Sequence, residues 1–172
     1  MRFPMTAVFV CGVALAHAAS AAPLVPITTP NAPWTIAFAM DGVQMRSHEI
    51  KPNTDSGSFL FTRKDGVSIS VFIEPAKDCK SAEPCRDKLF KLLQAKLDGT
   101  EQVTQGQLGD AYTIEIFVLK QRNLPIHEKN LYAEFFRDGY WVDLRLSKGG
   151  FKPDDQARIE SLVSSVRFEP KR

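Results

Sequence analysis

The sequence predicts a single α+β domain dominated by antiparallel hairpins. Alternating apolar runs of strand length, two Asp-Gly dipeptides set between such runs, and two apolar stripes at helical spacing all point to it. No internal repeat or linker divides the chain, and 172 residues suit one domain after removal of a leader. A hydrophobic fraction of 44% with a formal net charge of +2 excludes a coiled coil, a collagen-like repeat and a disordered tail. Lys+Arg 22 against Asp+Glu 20 also argues against a dedicated nucleic-acid binder.

Met1 to Ala21 read as a cleavable secretory signal. Arg2 supplies the positive start, Ala7 to Ala16 the short apolar run, and Ala19-Ser20-Ala21 an A-x-A-like cleavage pattern. A membrane anchor needs about 20 apolar residues, and Pro4 and His17 bracket fewer. Lipid attachment at Cys11 is disfavoured, because Val8-Phe9-Val10 precede it with no small residue beside the cysteine. The mature chain is therefore expected in the periplasm or outside the cell, without a transmembrane anchor.

Ala22 to Pro33 carries four prolines and reads as an extended lead-in. Trp34 to Phe38 is a first strand and Val43 to Ile50 a weaker second, followed by a turn-rich Pro52 to Gly57. Ser58 to Arg63 and Val67 to Glu74 flank Asp65-Gly66, a dipeptide that suits a type I′ hairpin. Ile69, Val71 and Ile73 alternate on one face of that hairpin. Phe59, Phe61 and Phe72 are assigned to the other, so the hairpin is expected to be covered on both sides. Arg86 to Leu97 is the clearest helix. Its stripe is Leu89, Leu92, Leu93 and Leu97, with Gly99 in place to cap it and Lys88, Lys91 and Lys96 as a solvated face. Tyr112 to Leu119 alternates strongly. After a turn at Arg122 to Pro125, Ile126 to Arg137 pairs with Tyr140 to Lys148 across Asp138-Gly139, with Val142, Leu144 and Leu146 inward. A last helix starts near Pro153, with Asp154 and Asp155 in its first turn and Ile159, Leu162, Val163 and Val166 buried. Arg167 to Glu169 adds a closing strand.

Export leaves Cys79 and Cys85 as an even pair in an oxidising compartment, which predicts a disulfide. Five residues separate them, so the spacing is not that of a C-x-x-C thiol oxidoreductase. His48 and His127 lack metal-site spacing. There is no H-E-x-x-H, G-x-S-x-G, phosphate loop or dinucleotide fingerprint. No cofactor, metal ligand or catalytic residue is assigned. Asp55-Ser56-Gly57-Ser58 matches the D-[ST]-G-[ST] loop of aspartic proteases. However, Pro52-Asn53-Thr54 stand where an apolar strand should precede it, and turn chemistry explains the residues.

The last hairpin is the most informative. A two-residue loop at Asp138-Gly139 puts Glu134 opposite Asp143, Tyr132 opposite Arg145, and Phe136 opposite Trp141. Like charges directly opposed are unfavourable, unless a cation or Arg145, diagonal to Glu134, offsets them. Glu115 joins this face if its strand is the neighbour. Glu115, Tyr132, Glu134, Trp141, Asp143 and Arg145 are thus the candidate ligand or partner face, expected to be solvated and laced by a diagonal ion pair.

Pro33-Trp34-Thr35-Ile36 followed by Asp41-Gly42-Val43, a central helix after a hairpin, and Asp138 to Leu146 leading to Ser164-Ser165-Val166-Arg167-Phe168 resemble the PsbP-like fold. An extrinsic photosystem subunit, a Ran-binding nuclear import factor and many exported bacterial proteins share that fold. The resemblance implies an antiparallel sheet with helices packed on both faces, in a family of mostly non-catalytic binding or accessory proteins. No family site motif is present to carry residues over, and the disulfide pair departs from the family pattern. The expected function is that of an exported soluble binding or accessory protein. It would act through a sheet or loop surface on an envelope or secreted protein, or on a small ligand. The alternatives are a small envelope hydrolase using carboxylates such as Glu134 and Asp143, or an inhibitor of a secreted enzyme.

Overall fold

The computed structural model describes residues 26–97, 101–121 and 124–171. The expected signal segment, residues 22–25 of the lead-in and the capping Gly99 lie outside the described residues. In chain order the elements are β1 (Trp34–Ala37), β2 (Val43–Lys51), a short 3-10 turn (Pro52–Thr54), β3 (Ser56–Arg63), β4 (Val67–Pro75) and α1 (Ala82–Gln94). They continue with β5 (Gln102–Leu108), β6 (Ala111–Gln121), β7 (Leu124–Arg137), β8 (Tyr140–Gly149), α2 (Pro153–Ser164) and β9 (Arg167–Pro170). A seven-stranded sheet runs in the order β2-β3-β4-β8-β7-β6-β5, while β1 and β9 form a separate two-stranded sheet. Every pairing is antiparallel.

The protein is mostly β, with two α-helices among the described residues, which corrects the expected α+β sheet with helices packed as covering layers on both faces. One face of the large sheet is closed by a mixed layer. Trp34, Ile36 and Phe38 from the β1 region, Ile27 and Ala32 from the lead-in, and Ile159, Leu162 and Val163 of α2 pack there in one core with Phe59, Phe61, Ile69, Val71, Leu131, Leu144 and Leu146. The opposite face carries α1 alone, seated over β6 and β7 through Leu89, Ile114 and Ile116. Beyond α1, the β2-β3-β4 side of that face is open.

The first hairpin explains why sequence reasoning covered both faces. Its loop has three residues, Lys64 to Gly66, rather than the expected two. Arg63 ends β3 and Val67 begins β4, and the Gly66 N–H donates to the Arg63 carbonyl at 2.9 Å. Gly66 has φ 84 while Asp65 stays out of the left-handed region, so the turn is not type I′. The extra residue slips the register by one, and a one-residue slip moves a strand's side chains to the other face. Phe59 therefore faces Val71 and Phe61 faces Ile69, all on the core side. Phe72 is left alone on the open face, 37% exposed. At Asp138-Gly139 both residues have positive φ, 48 and 82, and Arg137 pairs with Tyr140. That loop is the two-residue I′ turn the sequence predicts.

Three smaller differences complete the comparison. β5 carries no apolar alternation and is almost wholly exposed, so only its neighbour β6 makes it a strand. α1 starts four residues earlier than Arg86, at Ala82, and its packed residues are Leu89, Phe90 and Leu93, with Leu92 out in solvent. The closing strand exists and is paired to β1. The lead-in is fastened there too: the Lys171 ammonium donates to the carbonyls of Thr29 and Pro30, both at 2.9 Å. Among the described residues, no helix is long and apolar enough to cross a membrane.

Candidate functional site

The long antiparallel pair β7–β8 carries the site. Its I′ turn fixes the register, so Glu134 stands opposite Asp143, Tyr132 opposite Arg145 and Phe136 opposite Trp141. These six side chains share the face that α1 partly covers. Glu115 does not join them. It pairs with Leu131 in register, which puts it on the core-side face, where the Lys129 ammonium and Gln156 Nε2 hydrogen-bond to it.

The acidic pair is not solvated, which corrects the second expectation about this face. Glu134 is 0% exposed and Asp143 5%. The Trp141 indole N–H donates to Glu134 Oε2. Arg145 donates to Asp143 Oδ2 from Nε at 2.7 Å and also from Nη2. Two oxygens remain, Glu134 Oε1 and Asp143 Oδ1, both buried and without a hydrogen-bond partner among the described residues. Burial, and then the neighbouring Asp143 carboxylate, push the Glu134 carboxyl well above the usual range. Burial also raises Asp143, although Arg145 pulls the other way. The pair as a unit therefore holds a proton where ordinary surface carboxylates have lost theirs.

Arg145 lies between two rings, 4.6 Å from the centre of Phe72 and 5.5 Å from that of Tyr132. Burial weakens its proton affinity, but the bonded Asp143 outweighs that and keeps the guanidinium charged. Stacking on both sides and the bond below fix the guanidinium plane. Its Nη1 makes no hydrogen bond among the described residues, and the side chain is 42% exposed. Phe72 on β4 is the exposed apolar group beside it, and Leu60 on β3, opposite Ser70 in register, is a second on the same open face. Sequence reasoning missed both as surface groups, because each depends on the loop length of the first hairpin.

Two adjoining hollows border the open half-face. One of about 440 Å3 is lined by Lys51, Lys77, Lys88, Glu74, Asp78 and Trp141 among others. The second, of about 300 Å3, reaches Phe72 and Ser58 and shares Lys51, Ser56 and Glu74 with the first. Lys88 is not simply solvated: it bonds to Asp78 at 2.6 Å and lies 5.8 Å over the Trp141 ring. The hollow's rim is held by the disulfide between Cys79 and Cys85, whose Cα atoms are 5.3 Å apart. That bond clips the segment after β4 to the first turn of α1.

Asp55, the residue of the protease-like match, has a structural task. It adopts φ 49, accepts from the Asn31 backbone N–H at 3.0 Å and accepts from the Tyr140 hydroxyl. Burial works to raise its carboxyl, but these bonds prevail and hold it below the usual range. It ties the lead-in to β8. Comparison with family models and with curated proteins finds no match.

Proposed function

We propose that the protein is an exported, non-catalytic binding protein that takes its partner on the open half of the α1-bearing face, across β2, β3, β4 and β8. The observation that carries this reading is the uncovered face itself, where Leu60 and Phe72 stand exposed around a pinned, half-exposed Arg145. Neighbouring exposed apolar groups rimmed by polar ones mark interaction surfaces, and arginine is a frequent anchor in them. The two bordering hollows add concave surface to the same half-face. The disulfide fits an oxidising compartment. The resemblance to the PsbP-like fold adds an expectation of an accessory role.

The hydrolase alternative asks Glu134 and Asp143 to meet a substrate. Their burial argues against it, since a general acid–base pair needs contact with the reacting group or with one bridging water. A photo-crosslinking side chain at Leu60, in the intact exported protein, tests the binding reading against a control at Arg158 on α2. The expected result is a discrete adduct from position 60 that disappears with Phe72→Ser. Equal labelling from both positions, or adducts indifferent to Phe72, would overturn it.

A further inference from the structure

Two buried carboxyls face one guanidinium, and the hydrogen bonds among them are incomplete. Glu134 Oε1 and Asp143 Oδ1 are the unpartnered atoms, on residues that stand opposite each other in register. A single proton between the carboxyls, carried by Glu134 and donated to Asp143, gives both orphan oxygens a partner. The trio Glu134, Asp143 and Arg145 is then neutral overall. Without that proton it carries one net negative charge directly beneath the exposed edge of Arg145.

Of the other titratable groups, Tyr112 on β6 stands opposite Glu134 and Tyr132 on β7 opposite Arg145. Glu74 on β4 stands opposite Trp141, and the α1 cations reach only the neighbouring rings, Lys88 that of Trp141 and Arg86 that of Tyr112. Arg86 lies 5.3 Å over the Tyr112 ring, and Glu128 bonds to Asn130 at 3.0 Å. Arg145 keeps its Nη1 donors free, and a planar fork of this kind fits a carboxylate. The open half-face extends from Arg145 across β4, β3 and β2, so a bound chain lies across those strands. In the adjoining hollows Lys88 is paired with Asp78 and Lys51 with Glu49, so it is the unbonded edge of Arg145 that favours an acidic segment.

We propose that Arg145 recognises an acidic side chain of a partner segment lying across the open half-face, with the segment's apolar residues on Phe72 and Leu60, and that the proton shared by Glu134 and Asp143 gates this recognition. The proposal rests on the half-face being the binding surface. Loss of the proton adds a negative charge behind Arg145 and weakens its hold on a carboxylate, by about tenfold for one buried charge a few ångströms away.

The test uses a terminally blocked peptide of alternating Glu and Phe, its Gln-Phe counterpart, and a Gln-Phe peptide with a free C-terminal carboxylate. NMR signals of the Arg145 side-chain N–H and of the Leu60 and Phe72 amides are followed between about pH 5.5 and 9, above the ordinary carboxylate range. The Glu-Phe peptide should saturate the Arg145 signal and lose about tenfold in affinity as pH rises. Glu134→Gln should keep the low-pH affinity throughout, and Arg145→Gln should bind about tenfold more weakly at every pH. A pH profile unchanged by Glu134→Gln overturns the gating. Binding unchanged by Arg145→Gln, or equal binding of either Gln-Phe peptide, overturns acidic side-chain recognition while leaving the half-face reading intact. If no peptide moves Leu60 or Phe72, both readings fall.

Discussion

At the scale of single residues, the buried carboxyl pair dominates the chemistry of this protein. A carboxyl whose pKa is raised on folding binds its proton more tightly in the native state than in the unfolded one. Its contribution to stability is complete below the unfolded pKa, near 4.5 for Glu134, and is lost as pH rises through the folded value. The wild-type protein should therefore lose stability as pH climbs from the acid range toward neutrality and beyond. Glu134→Gln keeps the shape, retains a donor for Asp143 and cannot ionise. Urea unfolding of the variant should give a flatter pH profile than wild type, with greater stability than wild type on the alkaline side. A variant that follows the wild-type curve would show that folding does not change the protonation of Glu134 over that range. The opposition of Glu134 and Asp143 was legible in the sequence, because Asp138-Gly139 fixes the register. Their burial was not: it depends on where α1 docks across β6 and β7, which no local pattern encodes.

At the scale of elements, turn length decides which face a side chain meets. The two Asp-Gly dipeptides look alike in sequence, yet one closes a two-residue loop and the other ends a three-residue loop. Apolar alternation alone could not separate these cases, since Phe59, Phe61 and Phe72 offer aromatic material to either face. What separates them is burial: the three-residue loop sends Phe59 and Phe61 into the core beside Ile69 and Val71. The strands themselves were readable wherever β-branched and aromatic residues alternate, and β5, a glutamine-rich edge, was not. In the I′ turn, Gly139 holds φ 82, and Gly139→Ala should cost about 1 kcal/mol or more in thermal or urea unfolding through backbone strain. The Cys79–Cys85 clip closes a small loop, contributing roughly 2 to 2.5 kcal/mol in the chain-entropy model. Because it fastens α1 and not the sheet, reduction should speed hydrogen exchange in α1 while β4, β7 and β8 remain protected. Uniform acceleration across the sheet would instead make the disulfide a support of the whole fold.

At the scale of the whole molecule, the two faces of the sheet are treated differently. One is sealed by a small second sheet, the lead-in and α2; the other is half covered and half open. That asymmetry corrects the expectation that the first hairpin is covered on both sides, and it locates the surface where a partner is proposed to dock. The sealed side depends on a contact between distant parts of the chain, Lys171 with the lead-in carbonyls. Lys171→Met removes those donors and should destabilise the domain by about 1 to 2 kcal/mol, with the earliest exchange appearing in β1 and β9. A variant of wild-type stability would mean that the β1–β9 ladder alone closes this side.

β1 pairs with β9 and with no strand of the large sheet. During synthesis, residues 34–37 have one bridge, Ile27 to Ile36, and no ladder until residues 167–170 arrive. The seven-stranded sheet can assemble by neighbouring hairpins, but its sealed face stays uncovered until the final strand is present. Non-local closure of this kind is slow compared with hairpin formation, so completion of the domain is timed by release of its C-terminal strand.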